Sequence, residues 1–341
     1  MNNSVIKGLL LFLLLIVFCG AAVFLVPSSD KILTPSDAVL SEKKLYADMT
    51  QSIMRINQNV NTEIFDLPKV YTLPKDLSPA PKPDPSKYTQ DSYQDDTITV
   101  KCWKERIDAD GKTVTANFAD VVISHPTQLR TAFAGGSYGT SKRTHASKIA
   151  SANNAVVAIN ADFYNYRTEG IIIRQGTLYR KKAFDIDVLF IDSDGNFSVL
   201  RDKKAISTGY LKKHDIFQTL VFGPVLVENG KAIKNGMKYY SVPCAPMERS
   251  PRTAIGQIGK LHYLMCTIDG RQDDSRGVTT NQLAVIMADK KCKVAYNLDG
   301  GQSSTMIFNN QPYNSISNGG ERTMSDILYF ATSVPESEWN K

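Results

Sequence analysis

Apolar and polar positions fall into four regimes along the chain. From Gly8 to Val26 the sequence is almost continuously apolar, with Lys7 before it and Pro27, Ser28, Ser29 and Asp30 after it. About 19 such residues suffice to cross a bilayer as a helix, and the run is longer than the ~7–15 residues of a signal-peptide core. No small-x-small cleavage site follows it, and Phe18 before Cys19 does not fit a lipoprotein box, so residues 1–30 are expected to be an uncleaved signal anchor. Between Ser36 and Phe65, Leu45, Met49, Ile53, Ile56, Val60 and Ile64 recur at spacings of three and four, which predicts a helical stalk within 31–66. Residues 67–96 carry Pro68, Pro74, Pro79, Pro81, Pro83 and Pro85 among Lys, Asp and Ser and read as a semi-rigid extended linker.

From Thr97 the period shortens to two. ITVKCWKERI and TVTANFADVVIS flank the turn-forming DADGK as a first hairpin; HASKIASANN reads as a short helix leading into the buried strand AVVAIN, Ala155 to Asn160. Further strand pairs are expected in IIIRQGTLYR, VLFIDSDGNFSVL, LVFGPVLVENGKAI, TAIGQIGKLHYLMCTID and STMIFNNQPY, with one amphipathic helix between Thr279 and Lys290 before the strand VAYNL and a closing strand in ILYFATSV. Many short strands with few helices predict an α+β domain over 97–341, built on mixed, largely antiparallel sheet.

Composition adds constraints. At 341 residues and 42% hydrophobic content the chain can bury a core. The net charge of +6 comes from scattered Lys and Arg without an aromatic-interleaved basic stripe, which argues against a nucleic-acid partner. Cys102, Cys244, Cys266 and Cys292 show no CxxC spacing, so a zinc site is not indicated; they are either buried thiols or two disulfides in one of three pairings. His125, His145, His214 and His262 are scattered, and the GGSYGTSKRTHAS loop matches neither a P-loop nor a dinucleotide fingerprint.

The densest chemistry lies at the end of the strand Val294 to Asn297, in Asn297-Leu298-Asp299-Gly300-Gly301-Gln302-Ser303-Ser304-Thr305-Met306. A buried strand delivers a carboxylate and an amide to a rim there, and two glycines let main-chain N–H groups approach a ligand. This segment resembles the N-x-D-G-G-G-S-S-T-M signature of the phosphodiester glycosidases, whose bacterial members are often labelled exopolysaccharide biosynthesis proteins; Gln302 stands where a third glycine is usual. Arg249 to Gly256 is similar to the family's R-x-P-R-T-A-I-G, Ile268-Asp269-Gly270-Arg271 to its V-D-G-R, Asn160-Ala161-Asp162-Phe163 to its N-G-x-F, and Glu321-Arg322 to its closing E-R. Thr280, Leu283 and Ala284 match its helix, and the resemblance runs in order from Ala155 to Ala331.

The resemblance implies hydrolysis of a bond between an anomeric carbon and a phosphodiester in a cell-envelope or exported glycan. The leaving group is then a phosphate monoester, with a second pKa of ~6, which needs little help from a general acid. What remains necessary is a carboxylate at the anomeric centre and donors for the departing phosphate. Asp299 is the first candidate for the carboxylate, with Asp269, Asp162 and Glu169 beside it, although each also suits a turn cap or an arginine partner. Arg249, Arg252 and Arg271 are candidates for phosphate, Gly300, Gly301 and Ser303 for further donors, and Asn160 and Asn297 for sugar hydroxyls. No cofactor is required by this chemistry; a divalent ion could use Asp269, Asp273, Asp274 and Asp299, without EF-hand spacing. The expected partners are a glycan or glycolipid phosphodiester and, through the N-terminal helix, the cell membrane, with the main domain extracytoplasmic. The competing readings are a non-catalytic glycan-binding protein of exopolysaccharide assembly and a phosphodiesterase that breaks the P–O bond.

Overall fold

The computed structural model describes residues 80–139, 141–182, 186–201, 208–234 and 248–334. The expected anchor, the stalk, the first part of the linker and Cys244 lie outside these residues. No helix among the described residues is long and apolar enough to cross a membrane.

Chain order runs β1 (Ser92–Gln94), β2 (Ile98–Asp108), β3 (Thr113–Ile123), β4 (Leu129–Phe133), α1 (Ala146–Ala152) and β5 (Ala155–Asn160). The hairpin β6 (Gly170–Arg174) and β7 (Thr177–Lys182) follows, then β8 (Val188–Asp192), β9 (Phe197–Leu200), α2 (Thr208–Lys213) and β10 (Ile216–Leu220). Next come β11 (Val225–Glu228), β12 (Lys231–Ala232), β13 (Arg252–Gly259), β14 (His262–Ile268), α3 (Thr280–Asp289) and β15 (Val294–Leu298). β16 (Met306–Phe308), β17 (Gln311–Pro312) and β18 (Asp326–Ala331) are the last of the described strands. The described residues form four sheets, of eight strands (β1-β2-β3-β14-β13-β15-β11-β12), five (β17-β16-β5-β18-β4), three (β10-β8-β9) and two (β6-β7). The pairings among the described residues are antiparallel, as the alternation and the short turns require.

Helix α3, opened by a capping box between Thr279 and Gln282, lays Leu283, Ala284 and Met287 on one face of the large sheet against Phe118, Ala254 and Cys266. Helix α1 covers the five-stranded sheet in the same way, with Ala146, Ile149 and Ala150 against Ala158, Ile327 and Tyr329. The large and small sheets meet where Tyr263 of β14 stands 5.2 Å from Phe330 of β18 and 5.3 Å from Phe197 of β9, ring to ring. Cys102, Cys266 and Cys292 are buried free thiols in this interior.

The linker expectation needs correction from Ala80 onward. Ala80 is buried beside α1 and accepts a 2.7 Å hydrogen bond from Asn154 Nδ2. Asp84 caps a single 3-10 turn, β1 pairs with β2, and buried Tyr93 donates to Asp95 Oδ2 at 2.9 Å. The segment's prolines suppress helix, but Ala80, Tyr88 and Tyr93 give it enough apolar surface to dock: the Tyr88 ring stands 4.5 Å from Tyr93 and 5.4 Å from Phe308.

Candidate active site

The ends of three strands converge at one rim. In the β18–β5 ladder Ile327 faces Asn160, and in the β13–β15 ladder Thr253 faces Leu298, so the start of β18 and the ends of β5 and β15 lie together. Asn160 joins them. Its Nδ2 donates to the Asp299 main-chain oxygen at 2.7 Å, while its Oδ1 accepts from Thr253 Oγ1 at 2.8 Å and from Thr305 N at 3.1 Å. The Asp299 N–H donates in turn to the Ala161 carbonyl at 3.2 Å.

This scaffold presents half-buried Asp299 to a cleft enclosing about 240 Å³, open solvent included, whose lining includes Asn160, Phe163, Tyr166, Ser303, Arg322 and Asp326. The Gly300 N–H donates to Asp299 Oδ1 at 2.9 Å, and the Ser303 hydroxyl bonds to the same carboxylate. Burial pushes the Asp299 carboxyl above the usual range, opposed by Ser303, by the charge of Arg322, by the Gly300 N–H and by Arg167. It is therefore a desolvated carboxylate with cations close by.

One wall is aromatic. Phe163 and Tyr166 stack with centroids 4.2 Å apart, and Phe163 holds a left-handed φ of 63°, a conformation that non-glycine residues adopt mainly where surroundings enforce it. Arginines crowd this wall. Arg143 lies 3.9 Å above the Tyr166 ring and donates to its hydroxyl at 2.6 Å, Arg322 donates to the same hydroxyl at 3.3 Å, and Arg167 lies over Phe163 and Phe222.

Behind the cleft two buried carboxylates share one guanidinium. Arg174 Nη2 lies 3.1 Å from Asp162 Oδ1 and 2.8 Å from Asp326 Oδ2, with all three side chains at most 2% exposed. Asp162 also accepts from the Val221 N–H at 2.7 Å, and Asp326 from the Ser325 hydroxyl at 2.9 Å. Burial and the neighbouring Asp162 push the Asp326 carboxyl up against the pull of Arg174.

The family's sequence model matches residues 153–331, just over half of the chain, under the description phosphodiester glycosidase. The chain belongs to the phosphodiester glycosidase family. Among solved structures, it is similar to the catalytic domain of zebrafish N-acetylglucosamine-1-phosphodiester alpha-N-acetylglucosaminidase, auto-inhibited by its pro-peptide. That likeness has a TM-score of 0.57 and 21% identity over 72% of this chain and 85% of that one. A hypothetical protein from Synechocystis gives a TM-score of 0.55 and 15% identity over 68% of this chain and 62% of the other. The SPbeta prophage-derived uncharacterized protein YomE of Bacillus subtilis (strain 168) is 29% identical over 202 residues, 56% of this chain. The match spans 30% of that relative's length.

The remaining residues that resemble phosphodiester glycosidase motifs fall into distinct places. Ser303 lines the cleft with Asp299. Gly300 and Gly301 allow a close approach that side chains would block: a Cβ on Gly300 would stand 2.8 Å from the Pro251 oxygen, and one on Gly301 would stand 3.2 Å from Arg271 Nη2. Arg271 is exposed, holds a left-handed φ of 58°, and lays its guanidinium against Gly301 of this turn. Arg252 and Arg249 are directed to main-chain oxygens. Arg252 donates to Val278 at 3.0 Å and to Glu248 at 2.8 Å, and Arg249 donates to Gly277 at 3.1 Å and to Ala109. Asn297 donates to the Gly223 oxygen at 2.7 Å.

Besides Asp162, which Arg174 holds behind the cleft, two more carboxylate candidates lie outside the cleft lining. Asp269 is buried, accepts from Asn117 Nδ2 at 2.8 Å and from Asn314, and is pushed up to about 6 chiefly by burial. Glu169 is exposed, 3.8 Å from Lys182. Asp273 and Asp274 pair with Arg276 and Arg106 on the surface, and no group of three or more His, Cys, Asp or Glu among the described residues is placed to hold a metal ion. Buried His125 caps the turn before β4, and His262 pairs with Asp120 at 2.8 Å. Sequence reasoning missed Asp326 and the placement of Arg143, Arg167 and Arg322. Asp326 carried one signal, a lone carboxylate at the head of an otherwise apolar strand.

Proposed function

We propose that this domain hydrolyses the bond between an anomeric carbon and a phosphodiester, with Asp299 as the carboxylate at the anomeric centre. The observation that carries the reading is Asp299 facing a cleft with an aromatic wall on one side and Arg322 beside it. A sugar ring entering the cleft sits against the wall formed by the stacked Phe163 and Tyr166, with its anomeric carbon towards Asp299. Its phosphate then meets Arg322, with Arg143 and Arg167 beyond and Arg271 across the glycine turn.

Asp299 either attacks the anomeric carbon or removes a proton from the attacking water. The C–O bond breaks, its electron pair leaves with the phosphate monoester, and the water oxygen ends on the sugar. Arginines hold the leaving dianion, and no strong general acid is needed because that group is a weak base. Family membership supports this chemistry. The substrate is an envelope or exported glycan, and the N-terminal apolar run tethers the domain outside the cytoplasm.

The test incubates the full-length chain and its Asp299→Asn variant with sugar 1-phosphodiesters, starting with N-acetylglucosamine 1-phosphate methyl ester, in oxygen-18 water. Free sugar carrying the label is expected from the parent, with the rate about 10³-fold lower in the variant. Label in the phosphate would establish P–O cleavage instead, and binding without any release would favour a non-catalytic glycan-binding protein.

A further inference from the structure

A second aromatic surface lies outside the cleft and is joined to it. Tyr138 stacks on buried Tyr164 with centroids 5.1 Å apart at 25°, and Tyr179 stacks on Tyr138 at 5.1 Å and 23°. Phe133 sets its edge against all three at 5.2–5.7 Å. The ladder ends in the open: Tyr179 and its neighbour Leu178 on β7 are each 42% exposed. A tyrosine fixed by such a stack is already ordered, so little side-chain freedom is lost when a ligand covers it.

The link to the cleft is covalent and close. Tyr164 falls between Phe163 and Tyr166, so the same turn sends two rings into the cleft and one under the ladder. The segment that carries Tyr138 also carries Lys142, whose carbonyl accepts from Asn165 Nδ2 at 3.2 Å, and Arg143, which lies on Tyr166. Arg180 follows Tyr179 on β7 and donates to the Tyr164 and Arg167 carbonyls. Lys142, Arg143 and Arg180 thus stand on the segments that join ladder and cleft, and on β7 Lys182 is paired with Glu169.

We infer that Tyr179, held in place by Tyr138, and the adjoining cations bind a further sugar-phosphate unit, so that the ligand is a polymer of phosphodiester-linked sugars and not an isolated glycosyl phosphodiester. The inference rests on the hydrolytic reading of the Asp299 cleft. A sugar presents its C–H face to the one open ring of Tyr179, and the cations meet phosphates spaced along the chain. Single-stranded nucleic acid asks for a succession of open ring faces, and here the lower rings cover one another.

The experiment measures binding of the full-length chain to poly(N-acetylglucosaminyl 1-phosphate), to N-acetylglucosamine 1-phosphate methyl ester and to a thymidine oligonucleotide. The polymer should bind more tightly per sugar unit than the methyl ester, and its affinity should fall as salt rises. The polymer-to-monomer ratio should drop about fivefold or more in Tyr179→Ala and hold in Tyr179→Phe. If Tyr179→Ala melts early, Lys142→Gln takes its place and should weaken the salt dependence. A ratio unmoved by both substitutions, or equal affinity for the oligonucleotide, overturns the inference. Tyr179-dependent polymer binding without sugar release would sink the hydrolytic reading and leave this surface standing; release from the methyl ester with a Tyr179-independent ratio would do the reverse.

Discussion

Asn160 and Asp299 lie 139 positions apart in the chain and are joined by a 2.7 Å hydrogen bond from the Asn160 amide to the Asp299 carbonyl. The bond fixes the main chain that carries the carboxylate. Asn160→Ala would leave the Asp299 oxygen, the Thr253 hydroxyl and the Thr305 N–H short of a partner in a buried place. A stability loss on the order of 3 kcal/mol is expected from urea unfolding, at about 1–3 kcal/mol per orphaned buried group with some rescue by water. Sugar release should fall through kcat more than through KM, because the carboxylate is displaced while the aromatic wall persists.

Arg322 lowers the Asp299 carboxyl, which burial raises. A carboxylate that must be ionised to act gives a rate that climbs with pH through its own titration. Arg322→Met removes the opposing charge, so the acid limb of the kcat/KM profile should move to higher pH. A limb that stays in place would separate Arg322 from the reacting carboxylate.

Arg174 holds two buried acids, and taking it away strands both. Arg174→Met should lower stability by about 3–5 kcal/mol at neutral pH, as for a broken buried ion pair. The sign of the pH effect follows from Asp326, whose carboxyl is raised in the fold. Stability tied to a raised acid is present at low pH and is lost as pH rises through the folded value. The gap between parent and Arg174→Met should therefore narrow on acidification, which melting curves taken between pH 7 and pH 5 would show.

Asp269 titrates near 6 in the fold against 3.8 in the open chain, so its contribution is complete below about pH 4 and is lost as pH rises through 6. The difference of about two units corresponds to roughly 3 kcal/mol. Asp269→Asn lacks this titration. The stability of the parent minus that of the variant should fall by about that amount from pH 4 to pH 7.

Hairpins were legible because local chemistry fixes them. Asn309 and Asn310 take left-handed φ values of 47° and 61° between β16 and β17, and Gly195 takes one of 79° between β8 and β9. β4 was missed because Leu129–Phe133 is buried on both faces and shows no alternation. The carboxylate of the DGG segment could be picked out because a strand ends there and two glycines follow. The surrounding cations could not be sorted in the same way. Arg252 and Arg322 are alike as letters; one is fixed by main-chain oxygens of neighbouring loops and the other opens on the cleft, a difference set by tertiary neighbours far along the chain.

The three interior thiols have a practical corollary. Burial holds the sulfhydryls of Cys102, Cys266 and Cys292 far above the ordinary range, Cys292 at about 12, so they carry almost no thiolate at neutral pH. An alkylating reagent can reach them only when the sheets part, and peptide mapping of the label at these three positions becomes a clock for rare opening of the native state. Cys102 lies beside the β1 edge, whereas Cys266 and Cys292 lie under α3, so unequal labelling would reveal whether that edge peels away before the helix lifts.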